Sequence, residues 1–341
     1  MTREVIQSIK KIIRAKLQVA TFFRRYRKYL KTGEVRPGDA RLLRDAAFLT
    51  NGKALDEAVT KFGKFLVPRK VVEMGNSIID VDAIEISEAI ESIKSYGYWI
   101  APRTIGKEEL DKFEKNAEIE ARTLFGFNKN EEAPIEDLHK NSTLKEKEMV
   151  FLGSDWVLSQ DLTYRMATCK NILNIVSGYL GFTPILNLPE SWFSFPVANI
   201  SAMSAQNWHF DCDRVRWIKV FVYLTDVDLD SGPHSFVATS HIDWRQETGS
   251  SRFSEQQVKE KFSESEIKNF TAKRGTVIFE DTRGLHKGTP LVKGHRLMLQ
   301  LEFSLDSFGY RHPIFNIPAD YDRHAENYSY LFPRDRYSRE R

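Results

Sequence analysis

The stretch NWHFDCD, Asn207 to Asp213, decides how the rest of the chain is read. It places His209 two residues before Asp211. In a strand, residues i and i+2 project from the same face, so an imidazole nitrogen and a carboxylate oxygen point together; on a helix that spacing turns them roughly 200° apart. Such a pair is a ligand pair only beside a strand, and the run RWIKVFVYLTDV, 216–227, follows within a few residues. Two other pairs have the same shape. His241 and Asp243 lead into a polar stretch, and His324 and Glu326 fall in the polar C-terminal tail.

Outward from that stretch, the second half reads as strands. The runs 192–201, 216–227, 235–240, 275–281 and 295–305 are rich in β-branched and aromatic residues, with turn residues between them, DLDSGPH at 228–234 being the clearest. The first half reads as helices: Ala89–Ser95, then a short strand Tyr98–Ile100, then 104–126 with Thr104 as cap and Gly126 as stop, then 161–181 closed by Gly181. Residues 128–148 are polar and read as loop-rich. The whole is mainly β with flanking α, an antiparallel sheet closed or sandwiched. A polar, partly helical stretch, Trp244 to Phe270, reads as an insertion between strands that is either a lid over a site or a passive excursion.

Composition bounds the function. The chain has 341 residues, 41% hydrophobic and 28% charged, with net charge +3, so no global nucleic-acid signal is present. Cys169 and Cys212 are the only cysteines, which favours a reducing compartment, and without an apolar run of membrane length or a leader the expected place is the cytoplasm. Residues 3–31 stand apart, with ten Lys or Arg against one acid, Glu4. Ile6, Ile9, Ile13, Leu17, Ala20 and Phe23 recur at helical spacing, so this segment is either a helix lying on an anionic membrane or phosphate-rich surface or one docked on the body with a solvated basic face. Residues 1–80 form a basic helical extension and 81–341 the main domain.

Two ligands do not make a site. His286 lies just past the run GTVIFED and before HRLMLQLEF, and is the candidate third ligand. Two histidines and one carboxylate leave one face of an octahedral metal open, the pattern of non-haem Fe(II) oxygenases. Zinc on two histidines and a carboxylate is the competing reading, but the HExxH helix of many zinc hydrolases is absent. Arg296, ten residues after His286, is the candidate fork for a dicarboxylate cosubstrate, because guanidinium pairs bidentately with a carboxylate.

These residues carry a resemblance. The run WHFDCDRVRWIKVFVYLTDVDLDSGPHSFVATSH, with its SGPH turn, followed by GTVIFEDTRGLHKGTPLVKGHRLMLQLEF, resembles the phytanoyl-CoA dioxygenase family of Fe(II)/2-oxoglutarate oxygenases over about residues 190–306. A weaker echo lies at SIKSYGYWIAPRTIGKEELDKF, residues 92–113. The resemblance implies a double-stranded β-helix, or jelly roll. It implies Fe(II) on His209, Asp211 and His286, with Arg296 on the distal carboxylate of 2-oxoglutarate. The reaction it implies consumes O2, releases succinate and CO2, and hydroxylates a small molecule. Asp211 favours hydroxylation over halogenation, since halogenating relatives have Gly or Ala in place of the carboxylate ligand. The family's counterpart of His241 ends a strand and is not a ligand. Gln206 and Thr289, which flank the ligands, are candidate 2-oxoglutarate contacts.

Several roles stay open. Asp213 is either an acceptor for a ligand histidine or a turn residue, and Cys212 packs. His234 shapes its turn; Lys219 and Tyr223 share a face and are candidates to line the cosubstrate pocket. His139, His295 and His312 are surface or packing residues. A metabolite-binding jelly roll with a vestigial metal site and a zinc enzyme on a cupin-like barrel remain alternatives. The substrate and the oligomeric state are not set by the sequence.

Overall fold

A computed structural model describes residues 3–341 except 74, 202–203, 243–250, 311–314, 318–330, 332–336 and 340–341. Helices α1 (Arg3–Thr32), α2 (Asp39–Thr50), α3 (Lys53–Phe62) and α4 (Ala83–Tyr96) come first. Then follow α5 (Lys107–Leu124), α6 (Ile135–Lys140), α7 (Ser154–Leu158), α8 (Asp161–Ala167) and α9 (Lys170–Leu180), with α10 (Glu255–Lys261) much later. Strands β1 (Tyr98–Ile100) and β2 (Met149–Phe151) lie among the helices. Further along come β3 (Ile185–Ser194), β4 (Trp208–His209), β5 (Trp217–Tyr223), β6 (His234–Val237), β7 (Arg252–Phe253), β8 (Ile267–Phe270), β9 (Val277–Glu280), β10 (His286–Gly288) and β11 (Arg296–Ser304), then a separate parallel pair, β12 (Phe315–Ile317) and β13 (Tyr337–Arg339). One antiparallel sheet has the order β1-β9-β5-β11-β3-β2 and the other β7-β4-β10-β6-β8. The sheets face each other, with Phe221 of β5 against His234 of β6 and Tyr98 of β1 against Phe236 and Phe270.

Strand alternation positions the site. On β11, Leu297, Leu299, Leu301 and Phe303 join the core shared with the helices. The residues between them, Arg296, Met298 and Gln300, turn toward the second sheet and line a cavity. On β5, Ile218, Val220 and Val222 lie on the helix side, while Lys219 and Phe221 reach the cavity. Both faces of these strands are covered, so all of β5 and β11 is buried, and polar residues inside apolar strands mark the cavity wall.

Several local expectations are corrected. Thr104 does not cap α5, which begins at Lys107 after Gly106; the Ile105 N–H donates to the Gly275 carbonyl at 2.9 Å and keeps the preceding segment extended. The stretch 161–181 is two helices, because the Thr168 hydroxyl donates to Tyr164 O and accepts from Asn76, and Lys170 N–H donates to Asn76 O. Gly126 and Gly181 end their helices with φ of +85° and +81°, as expected. Within the loop-rich 128–148, α6 forms a short helix. The stretch 244–270 is no simple insertion: its first residues lie outside the described residues, but β7 pairs with β4 and β8 with β6. It reads as polar because β7 and β8 are the edges of their sheet and only Phe270 of β8 is buried.

The N-terminal helices share one continuous core with the rest of the chain. Phe22 and Tyr26 are fully buried, and the Tyr26 hydroxyl donates to Asp306 at 2.7 Å, just past β11. The docked stripe of α1 is therefore Phe22 and Tyr26, not Ile13 and Leu17, which are exposed. Among the described residues, no helix is long and apolar enough to cross a membrane.

Candidate metal centre

His209 and His286 face each other because β4 and β10 pair antiparallel with these two residues in register. Their ring centroids are 4.2 Å apart. Asp211 follows β4, and its N–H donates to the Thr282 carbonyl at 3.0 Å, which ties it to the segment leading into His286. Its carboxylate lies 3.6 Å from His209 Nε2 and 3.5 Å from His286 Nε2. Ligand atoms of all three residues fall within 4.8 Å of one another, and among the described residues this is the cluster with metal-binding geometry.

The imidazoles are set for ligation. His209 Nδ1 is 2.8 Å from the Asn207 carbonyl and His286 Nδ1 is 2.9 Å from the Gly284 carbonyl. A carbonyl only accepts, so each Nδ1 carries the hydrogen and each Nε2 presents its lone pair to the shared space. Burial lowers both histidines, His286 to about 4, which keeps them neutral, the form that binds metal.

Lys219 completes the arrangement. Its Nζ lies 2.6 Å from Asp211 Oδ2 and 3.0 Å from Asp213 Oδ2. Burial alone would raise the Asp211 carboxyl; the ammonium and the two imidazoles overcome it and hold the group well below the usual carboxylate range. Lys219 occupies Oδ2 and leaves Oδ1 as the free donor. Asp213 therefore serves Lys219 rather than a ligand histidine. The sequence named Lys219 only as one of two residues facing the cavity; the other, Tyr223, donates its hydroxyl to the Phe270 carbonyl.

Arg296 lines the same cavity and is 2% exposed. Its Nη1 donates to the Gly232 carbonyl and its Nη2 to Ser194 Oγ at 3.2 Å, while Nε has no partner. Among the described residues it pairs with no carboxylate, and burial pushes its pKa down. A buried cation without a counterion is costly, and a bound carboxylate would offset that cost. The cavity holds about 170 Å3; its wall adds Glu190, Trp192, Phe221, Met298 and Gln300, none of which sequence reasoning singled out. Alternation on β3, β5 and β11 was the available signal.

The other candidates sit elsewhere. Gln206 is buried with its amide nitrogen unpartnered, and Thr289 bonds to Ser235 at 2.8 Å; neither is part of the cavity wall. His234 does line the cavity, with its Nε2 3.0 Å from Glu280. Burial raises Glu280 to about 8 and lowers His234 to about 3, so at neutral pH the carboxyl holds the proton and the pair is uncharged. His241 faces Lys94 O at 3.0 Å, away from the cluster, while Asp243, His312, His324 and Glu326 lie outside the described residues. His139 stacks on Phe195, His295 pairs with Glu136, and Cys212 is buried.

No family model matches the sequence, and no curated protein matches it. Solved structures are similar to it at low identity. The epimerase SnoN in complex with Fe3+, alpha-ketoglutarate and nogalamycin RO is 16% identical with a TM-score of 0.45, covering 66% of this chain and 85% of its own. HygX from Streptomyces hygroscopicus, with nickel, 2-oxoglutarate and hygromycin B bound, is 13% identical with a TM-score of 0.44, covering 64% and 86%. EvdO2 from Micromonospora carbonacea var. aurantiaca is 12% identical with a TM-score of 0.47, covering 68% and 94%.

Proposed function

We propose that this chain is an Fe(II)- and 2-oxoglutarate-dependent oxygenase of the phytanoyl-CoA dioxygenase kind, built on a double-stranded β-helix and working in the cytoplasm. It hydroxylates a small-molecule, lipid-linked or glycan-type substrate. The observation that carries the reading is the pairing, in one cavity, of two imidazoles and a carboxylate aimed at a common point with a buried arginine that lacks a counterion among the described residues. His209, Asp211 and His286 hold the metal, and Arg296 takes the distal carboxylate of 2-oxoglutarate. Bound iron and 2-oxoglutarate supply O2 activation: substrate C–H becomes C–OH as the cosubstrate becomes succinate and CO2. The protein's part is positioning. The Asn207 and Gly284 carbonyls fix the imidazole tautomers, Lys219 fixes the carboxylate, and Trp192, Phe221 and Met298 supply the apolar part of a wall that also carries Glu190 and Gln300.

The test is succinate formation from 2-oxoglutarate by protein purified without oxygen and loaded with Fe(II), beside the Asp211→Ala variant. Wild type converts 2-oxoglutarate and the variant does not. Equal metal binding by both proteins would sink the assignment, and a preference for zinc with no succinate would favour the hydrolytic alternative.

A further inference from the structure

Helix α1 has two different faces. Phe22 and Tyr26 stack with centroids 5.8 Å apart, and Tyr26 packs against Phe62 and Phe308. That face holds the helix to the body. The opposite stripe is exposed: Ile13 and Leu17 are 52% and 62% exposed, and steps of three or four residues lead to Ala20, Arg24, Arg27 and Lys31. A single helical stripe thus passes from aliphatic to basic.

Beside its basic end lies an open groove of about 610 Å3, floored by Phe23, Phe62 and Phe65. Arg24, Arg27, Lys28, Lys31, Lys61 and Lys64 line it, and among the described residues no carboxylate does. Lys28 approaches Glu34 at 3.7 Å; no ion pair joins the other five to a described acid. The lysines lie over the rings, Lys61 at 5.0 Å from the Phe23 centroid and Lys64 at 5.4 Å from that of Phe65. Covered in this way, the rings are poor platforms for stacking a nucleobase. Exposed aliphatic residues in line with uncompensated cations suit a bilayer instead: the aliphatics enter the boundary of the acyl chains while the cations meet anionic headgroups.

We propose that this face of α1, with the adjoining Lys61 and Lys64, docks on an anionic lipid bilayer. The proposal uses no residue of the metal cavity and stands apart from the oxygenase reading.

The experiment is co-sedimentation of the full chain with vesicles of phosphatidylcholine alone, or with about a third phosphatidylserine. Binding to the anionic vesicles and its loss at high salt are expected. Each cation near such a surface is worth about fivefold, so R24Q/R27Q/K64Q should weaken binding on the order of a hundredfold. Leu17→Ser should further reduce the part that survives salt. All four side chains are exposed, so unchanged thermal unfolding confirms that each variant folds. Equal binding to neutral vesicles, or an unaffected triple variant, would overturn the proposal. So would tighter binding of a single-stranded RNA than of anionic vesicles at matched phosphate concentration, which would make the face a nucleic-acid site.

Discussion

Replacing Arg296 with methionine separates a cosubstrate fork from a structural arginine. In the free protein one Nη1 hydrogen goes to Gly232 O and one Nη2 hydrogen to Ser194 Oγ. The Nε–H and one hydrogen on each Nη remain, and the Nε–H with an Nη2 hydrogen is the edge that can grip a carboxylate bidentately. Two hydrogen bonds to a charged group are worth about 1.5–3 kcal/mol each. Arg296→Met should therefore weaken 2-oxoglutarate by at least about 3 kcal/mol, more than a hundredfold in affinity. Arg296→Lys keeps the charge without the fork and should fall between. The assay is the KM for 2-oxoglutarate, supported by chemical denaturation with and without the cosubstrate. At a hundredfold excess over Kd, wild type gains about 2.7 kcal/mol and the methionine variant at the same concentration gains almost nothing. A methionine variant with wild-type affinity would refute the assignment of this arginine.

Other consequences concern the shell around the metal. Lys219→Met strands the mostly buried Asp211 beside the partly exposed Asp213 as like charges, so the metal-free protein should lose about 3 kcal/mol; a divalent metal should then stabilise the variant more than wild type, measured by urea unfolding. A Cβ on Gly284 would sit 2.4 Å from the Phe236 ring, and the Gly284 carbonyl orients His286. Gly284→Ala should lower metal affinity about 10–100-fold by calorimetry. Asp281 pairs with Arg283 at 2.6 Å, and both are buried. Burial alone would raise the Asp281 carboxyl, but Arg283 leaves it lowered. Its contribution is therefore present above the unfolded value of about 4 and lost as pH falls through the lower native value. Asp281→Asn should cost about 3–5 kcal/mol at neutral pH and flatten the acid side of the stability profile.

The sequence by itself determined which residues are candidates. Strand alternation makes His209 and Asp211 partners, and a histidine and an arginine near strand ends supply the rest, because a two-residue period is a local property. The stops at Gly126 and Gly181 are local in the same sense. Only the tertiary structure decided what those residues do. The Nδ1 bonds of both imidazoles to carbonyls two residues back are local, but that His209, Asp211 and His286 converge, and that Arg296 has no counterion among the described residues, depend on strands far apart in the chain meeting across two sheets. The same holds for α1, whose sequence shows a basic helix without saying which stripe docks. Burial of Phe22 and Tyr26 against Phe308, nearly the length of the chain away, turns Ile13 and Leu17 outward. Periodicity places a side chain on a face, but the charge state and partners of that side chain are set by what folds against it.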